Sequence, residues 1–467
     1  MVERRDVLKG LAAGAISAAL SPTLQGSPSQ QSTQVDVVRN ESFPGVDGQP
    51  LINKARAYEV LEQENLDGMI ALNPVNVYYL TNTWSIGAKM RREVPGLATF
   101  PRDPNQPTFY VTSRSQLLDI ANRRSEVPEL MPYTSPANWQ DYIDADREQM
   151  KIEPEASQRT YPTNEDDAFT PREQGWVDIQ ERYRSTAAPT PEWALARALR
   201  ESGLNKGRLA VDDMRIRDML ERIGMADGIT FVPGDNVFRK IRYIKSPVEI
   251  ELMRIAGRKN AAAALATMRS IQAGMTYEDI ERRFMTEAAA HGNQISFILA
   301  GVTLGLLPHG EVKRGQAILV DAVSHFRQYH GDFARTVVVG DPPKDVAMRA
   351  KANQIGREAA FEIVKPGIKY SQIRAVGFEA MKKAGMPEEA IIVNPHSVGL
   401  QHTDQPYRDD VPYPVAPDVE LKPGMTITID LPYIEVGWGA GHNEDLILIT
   451  ETGYQALHTE EDPLVVT

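Results

Sequence analysis

The chain has 467 residues, 42% hydrophobic and 24% charged, a globular composition with length for two to three domains. Its 63 acidic against 51 basic side chains leave a net charge of −12, the wrong sign for a nucleic-acid binder. There is no cysteine, so disulfides, thiol nucleophiles, zinc fingers and iron–sulfur clusters are excluded.

In chain order, Arg4-Arg5 precede a weakly apolar run over residues 10–20, a pattern that resembles a twin-arginine export signal. A membrane-spanning helix needs about 20 apolar residues, so no span is expected in the mature protein. The expected location is outside the cytoplasm, in a bacterial periplasm. The Ser- and Gln-rich stretch that follows reads as a linker, making residues 1–35 signal and linker. Residues 50–242 read as an α/β domain. A helix is expected over 52–64, and short strands over 68–72, 75–80, 108–112 and 208–211 in a mixed sheet. Residues 142–191, rich in charge and proline, break this alternation and read as a long insertion, a lid or a disordered loop.

The second half opens on Ser246-Pro247-Val248-Glu249, a capping box with proline at the first helical position. All eight histidines lie after residue 290, so any histidine chemistry belongs here. Gly274, Tyr277 and Ile280 recur as Gly367, Tyr370 and Ile373, and the same offset carries His309 onto His402. Lys313-Arg314-Gly315 leading to Asp321 recurs as Lys422-Pro423-Gly424 leading to Asp430. Two such units facing each other would set equivalent residues around one central site.

Strands are expected at 317–320, ending in Asp321, and at 336–339, just after Asp332, joined as a hairpin. Carboxylates brought together on paired strands repel unless a cation sits between them or one is protonated. His396 follows an apolar stretch, Asp430 ends a strand, and Glu444 begins one. Asp321, Asp332, His396, Asp430 and Glu444 together suffice for two divalent ions about 3.5–4 Å apart. His325 and His330 read as exposed turn residues, and Arg335 as a brace for a nearby carboxylate.

These motifs, with Ile244-Lys245-Ser246, Asp332-Phe333-Ala334-Arg335-Thr336, Pro395-His396-Ser397-Val398-Gly399-Leu400, Leu421-Lys422-Pro423-Gly424-Met425 and Asn443-Glu444-Asp445, resemble the creatinase / aminopeptidase P / prolidase family from about residue 50 to 460. The resemblance implies an α/β protein: an N-terminal creatinase-like domain over 50–242, then a pita-bread α+β domain over 244–460 with an internal pseudo-twofold repeat. It implies the ligands Asp321, Asp332, His396, Asp430 and Glu444 for two divalent metal ions, manganese first, with zinc, cobalt or iron as alternatives. His309 and His402 are implied as catalytic residues touching the substrate, Asp430 as the general base, and His442 and Trp84 as further substrate contacts, Trp84 reaching across a homodimer.

Three positions depart from the family pattern. Asp430 stands where a Glu is usual, shortening the reach by about 1.5 Å. His442 stands where many relatives carry Arg, exchanging a fixed cation for a titratable ring. Ala322-Val323 follows Asp321, where a Gly often lies two residues on. The activity implied is hydrolysis of the Xaa-Pro bond of short peptides. A C–N hydrolase or lyase acting on a small amide, and an inactive exported binding protein, are the alternatives.

Overall fold

The structure, a computed structural model, describes residues 43–91, 96–121, 129–134, 160–164, 168–184, 186–305, 310–411, 414–459 and 462–467. The expected signal and linker and His309 lie outside the described residues, as does much of the expected insertion. Residues 43–467 form one compact unit.

Its first half contains α1 (Lys54–Gln63), β1 (Gly68–Ala71), α2 (Pro74–Thr81), α3 (Ile86–Lys89), β2 (Leu97–Pro101), β3 (Phe109–Ser113), α4 (Leu117–Ala121), β4 (Glu129–Tyr133), α5 (Pro171–Tyr183), α6 (Pro191–Glu201), β5 (Gly207–Val211), α7 (Arg215–Arg222), β6 (Ile229–Pro233) and α8 (Asp235–Arg242). The strands form one mixed sheet in the order β4-β3-β2-β1-β5-β6. The strand expected over 75–80 is instead helix α2. Its β-branched and aromatic residues favour a strand, but the Asn73 side chain accepts the Val75 N–H at 3.0 Å and Pro74 opens the first turn. Within the expected insertion, residues 171–183 are a regular helix, α5, started by a Thr170–Glu173 capping box.

The second half contains α9 (Pro247–Arg269), α10 (Tyr277–Ala290), β7 (Gln294–Gly301), β8 (Ala317–Phe326), β9 (Tyr329–Val338), α11 (Lys344–Glu362), α12 (Tyr370–Lys383), β10 (Asn394–Ser397), β11 (Thr426–Asp430), β12 (Tyr433–Glu435), β13 (Gly439–Gly441), β14 (Glu444–Ile449), β15 (Tyr454–Ala456) and β16 (Leu464–Val466). The main sheet runs β10-β11-β14-β9-β8-β7, with β15 on β14 and β16 on β9, while β12 and β13 pair separately. The Ser246–Glu249 capping box forms at the start of α9 as expected.

The repeat is visible in the backbone. Gly274 donates to Val312 O and Gly367 to Leu421 O, each at 2.9 Å. Both glycines are left-handed, with φ of 87° and 88°, a conformation that favours a residue without Cβ. Helices α9 and α10 share a core with Ile318, Val320, Ala322, Phe333 and Val337 of β8 and β9. Residues of α11 and α12 share one with Ile427, Ile429, Ile447 and Ile449 of β11 and β14. Because strand side chains alternate, the intervening residues point to the opposite face of this sheet.

The expected hairpin is present but longer than read. β8 and β9 turn at Arg327-Gln328, both with positive φ, as a tight two-residue connection requires. His325 and His330 are therefore not exposed turn residues. They face each other across the ladder, partly buried, with ring centroids 5.6 Å apart. Gly331 lets α9 approach closely here, since a Cβ would stand 2.6 Å from Ala256 O.

The two halves share a core: Leu252 and Met253 of α9 and Leu446 of β14 cluster with Val60, Tyr79 and Phe238. Among the described residues no helix is long and apolar enough to cross a membrane.

Candidate metal centre

Sheet register places the candidate ligands. Glu444 pairs with Ala334 on β9, and Ala334 pairs with Asp321 on β8, so these three lie in one row on one face. Asp332 pairs with Val323, two residues along from Asp321, and shares that face. On the other side Thr428 pairs with both Leu446 and His396, and Asp430 pairs with Asn394, which brings His396 and Asp430 to the same face as Glu444. This is the face opposite the helices. Five residues from far-apart stretches are thus gathered by the period-two alternation of five hydrogen-bonded strands.

The side chains converge. His396 Nε2 lies 3.4 Å from Asp430 Oδ2, 3.9 Å from Glu444 Oε1 and 3.9 Å from Asp332 Oδ2. His402 Nε2 lies 3.1 Å from Asp332 Oδ2, with its ring 4.8 Å from that of His396. His442 sits on the far side, 4.0 Å from Asp321 Oδ2 and 3.8 Å from Glu444 Oε2. Three ligand sets result: Asp332, His396 and His402; His396, Asp430 and Glu444; and Asp321, His442 and Glu444, each with its donor atoms within 4.8 Å of one another. Ligands bound about 2.1 Å from an ion stand about 3–4 Å apart, which these separations match.

The electrostatics demand a counter-charge. Asp321 Oδ1, both Asp332 oxygens, Asp430 Oδ1, Glu444 Oε2 and both His442 nitrogens are buried without a hydrogen-bond partner. Orphaned polar atoms of this kind need an explanation, and an ion supplies one. Burial, reinforced by Asp332 and Asp430, pushes the Asp321 carboxyl well above its ordinary range; burial does the same to Glu444, with Asp332, Asp430 and Asp321 adding to it. Burial also acts on Asp430, but the neighbouring His396 outweighs it and holds that carboxyl low. His396 is pushed up to about 9, the pull of Asp430 and Asp332 overcoming burial, and burial takes His442 down to about 4. Four carboxylates, with imidazoles, are a donor set for a divalent transition ion, so the residues present fit such a group.

Surrounding contacts hold the candidate ligands in place. The Thr428 hydroxyl donates to Glu444 Oε1 at 2.9 Å, and Asn394 Nδ2 donates to Asp430 Oδ2 at 3.3 Å. Arg335 does brace a carboxylate: its Nη2 lies 2.7 Å from Asp445 Oδ1, and Arg357 and His458 meet the same carboxylate. Asp445 points to the helix-covered face because it is one residue from Glu444. The segment carrying His402 is fastened from α8. Arg239 donates to Thr403 O at 3.1 Å, and Arg242 donates to Gln401 Oε1 at 2.6 Å and to Asp404 Oδ1 at 2.7 Å. Lys245 lies 3.5 Å from Asp404 Oδ2, and these three charges are buried.

Sequence reasoning did not find Asp404, Asp445, Thr428 or Phe297, whose ring meets His402 edge-on at 5.0 Å. For Asp445 and Thr428 a signal existed, since each lies one or two residues from an expected ligand on a strand. The expected substrate contact His442 stands inside the carboxylate cluster. Trp84 packs edge-on against Tyr78, half-buried against the core the two halves share. Asp321, Asp332, His396, Asp430, Glu444 and His402 are brought together as expected, and His309 lies outside the described residues.

A doubled helix-pair-and-strand unit that brings carboxylates and imidazoles to one buried point is the build of a metal-dependent hydrolase. Residues 251–451 match the model of metallopeptidase family M24. The chain is 27% identical over 262 residues to the probable dipeptidase PepE of Mycobacterium tuberculosis, covering 53% of this chain and 67% of that protein. It is 27% identical over 239 residues to the Xaa-Pro dipeptidase of Pyrococcus furiosus, covering 50% and 67%. The crystal structure of a dipeptidase from Pyrococcus horikoshii aligns with a TM-score of 0.64 over 89% of this chain and 99% of its own, at 20% identity. The fold is shared with such proteins, as the expected pita-bread architecture requires.

Proposed function

We propose that the protein is a metal-dependent peptidase that hydrolyses the Xaa-Pro bond of short peptides. The observation that carries this reading is the convergence of Asp321, Asp332, His396, Asp430 and Glu444 on one buried face, with unpartnered donor atoms aimed at a common point. The dipeptidase and Xaa-Pro dipeptidase names of the relatives support the substrate class. When bound, the ions supply Lewis-acid polarisation of the scissile carbonyl and activation of water.

The chain's own groups do the rest. His402 is the most exposed member of the cluster, with about a third of its side chain open, so it can meet a substrate. Its ring is placed to hydrogen-bond a substrate oxygen, and the edge-on Phe297 ring orients it. Asp430 accepts the proton of the attacking water and returns it to the departing amine nitrogen. The C–N bond breaks, the hydroxyl stays on the carbonyl carbon, and the nitrogen leaves protonated.

Manganese is the ion we read first, since a carboxylate-rich donor set suits it. The reading extends to a homodimer, testable by sedimentation, and to export directed by Arg4-Arg5, testable by fractionating cells that express the full chain. The activity test is purified, manganese-supplemented protein offered a panel of Xaa-Pro di- and tripeptides beside matched peptides without proline. Turnover confined to the proline peptides and lost in Asp332→Asn is expected. No turnover on any member of the panel refutes the reading.

A further inference from the structure

We infer that His442 is itself a metal ligand, giving the Asp321 side of the centre a nitrogen donor of its own. The inference rests on the metal-centre reading above and adds to it a residue that the sequence placed in the substrate pocket.

His442 is 2% exposed, and neither ring nitrogen has a hydrogen-bond partner. A buried imidazole normally donates through one nitrogen and accepts through the other, and leaving both unmade is costly. The ring is flanked by two carboxylates, Asp321 at 4.0 Å and Glu444 at 3.8 Å. These contacts are too long for hydrogen bonds but suit ligands sharing one ion. Asp321 Oδ1 and Glu444 Oε2 are themselves unpartnered, so orphaned donors and acceptors surround the same space.

The backbone is arranged to aim the ring there. Thr336 Oγ1 accepts the His442 N–H at 3.0 Å and donates to His442 O at 3.3 Å, which pins His442 to β9. His442 lies two residues before Glu444 and Thr336 two after Ala334, so their spacing keeps them on the ligand-bearing face. Asp430 belongs to the His396 set and not to the Asp321 set. Without His442 the Asp321 set would hold two carboxylates and no nitrogen. With it, the Asp321 set gains an imidazole, and Glu444 is common to that set and to the one holding His396 and Asp430.

The test is Co²⁺ binding to the apo full chain, read by titration calorimetry, by metal content after dialysis and by the visible absorption of bound cobalt. Wild type, His442→Ala, His442→Gln and His402→Ala are compared. Wild type is expected to hold two ions. Both His442 variants are expected to hold one tightly and to bind the second at least 10-fold more weakly, with a changed cobalt spectrum. The ion retained on the His396 side shows that these variants are folded. His402→Ala, which touches the Asp332–His396 set and leaves the Asp321 set whole, is expected to keep the ion on the Asp321 side. Two ions held with unchanged affinity and spectrum in both His442 variants overturn the inference alone, and a raised KM beside them assigns His442 to the substrate. Loss of both ions also overturns it, since His442 would then support the whole centre. A wild type that takes up no ion overturns the metal-centre reading and this inference together.

Discussion

Replacing Asp404 by alanine removes the carboxylate that faces both Arg242 and Lys245. Arg242 and Asp404 are each about 1% exposed in their side chains and meet at 2.7 Å, and Lys245 lies 3.5 Å from the other carboxylate oxygen. Burial opposes the charge on Asp404, but the two cations outweigh it and hold the carboxyl below its ordinary range. Truncating one partner of a buried pair costs about 3–5 kcal/mol, because the other charge is left without compensation. An unfolding entropy of about 2.1 cal/mol/K per residue, over about 425 residues, makes each degree of midpoint worth about 0.9 kcal/mol. The expected drop in melting temperature is therefore about 3–6 °C. Arg242→Met should cost less, since Asp404 keeps Lys245 as a partner. His402 lies two residues from Asp404, so Asp404→Ala should also lower kcat about 10- to 100-fold through misplacement of the imidazole. Differential scanning calorimetry and steady-state kinetics on the same preparations check both effects. A melting point within 1 °C of wild type, or Arg242→Met costing more than Asp404→Ala, refutes the reasoning.

Thr428→Val keeps shape but removes the hydroxyl that orients Glu444, so metal affinity should fall about 10- to 100-fold with the fold intact; equal affinity by calorimetry contradicts this. Exhaustive chelation should lower thermal stability, because ions at about 100 times their Kd stabilise the folded state by about 2.7 kcal/mol each, and added Mn²⁺ should restore it. An unchanged melt after complete metal removal counts against a buried centre. Burial raises the Asp212 carboxyl to about 6 even though Leu72 N–H, Asn73 N–H and Asn76 Nδ2 donate to it. The folded chain then holds that proton more tightly than the unfolded chain. The resulting stabilisation is full below about pH 4 and lost as pH rises through about 6, on the order of 3 kcal/mol in all. In urea melts, Asp212→Asn should gain that amount on wild type between pH 4 and pH 7, and a pH-independent difference speaks against it.

The candidate ligands were legible in the sequence because each sits at the edge of an apolar, β-branched run, where alternation lets one polar side chain face inward. The repeat was legible because Gly274 and Gly367 mark the same left-handed turn. Residues 75–80 were misread since their composition favours a strand; the deciding signals, Asn73 as cap and Pro74 at the first turn, lie just before them. His325 and His330 were misread because the apolar runs stop short of where the ladder ends. The Arg242–Asp404 pair was not legible, since its partners meet across 162 positions of chain and no local periodicity links them. His442 was visible as a departure from the pattern the sequence resembles, but only register shows that it shares a face with Glu444.

β14 is among the later strands of the chain, yet it lies between β9 and β11 in the main sheet. It is a keystone: the two repeats cannot be joined through their shared ladder until it has been synthesised and inserted. Sheets closed by such distant pairings form slowly, so ion capture should wait for a nearly complete polypeptide. A truncation ending before Glu444 would lose at one stroke the strand that locks the arch and the carboxylate common to two ligand sets.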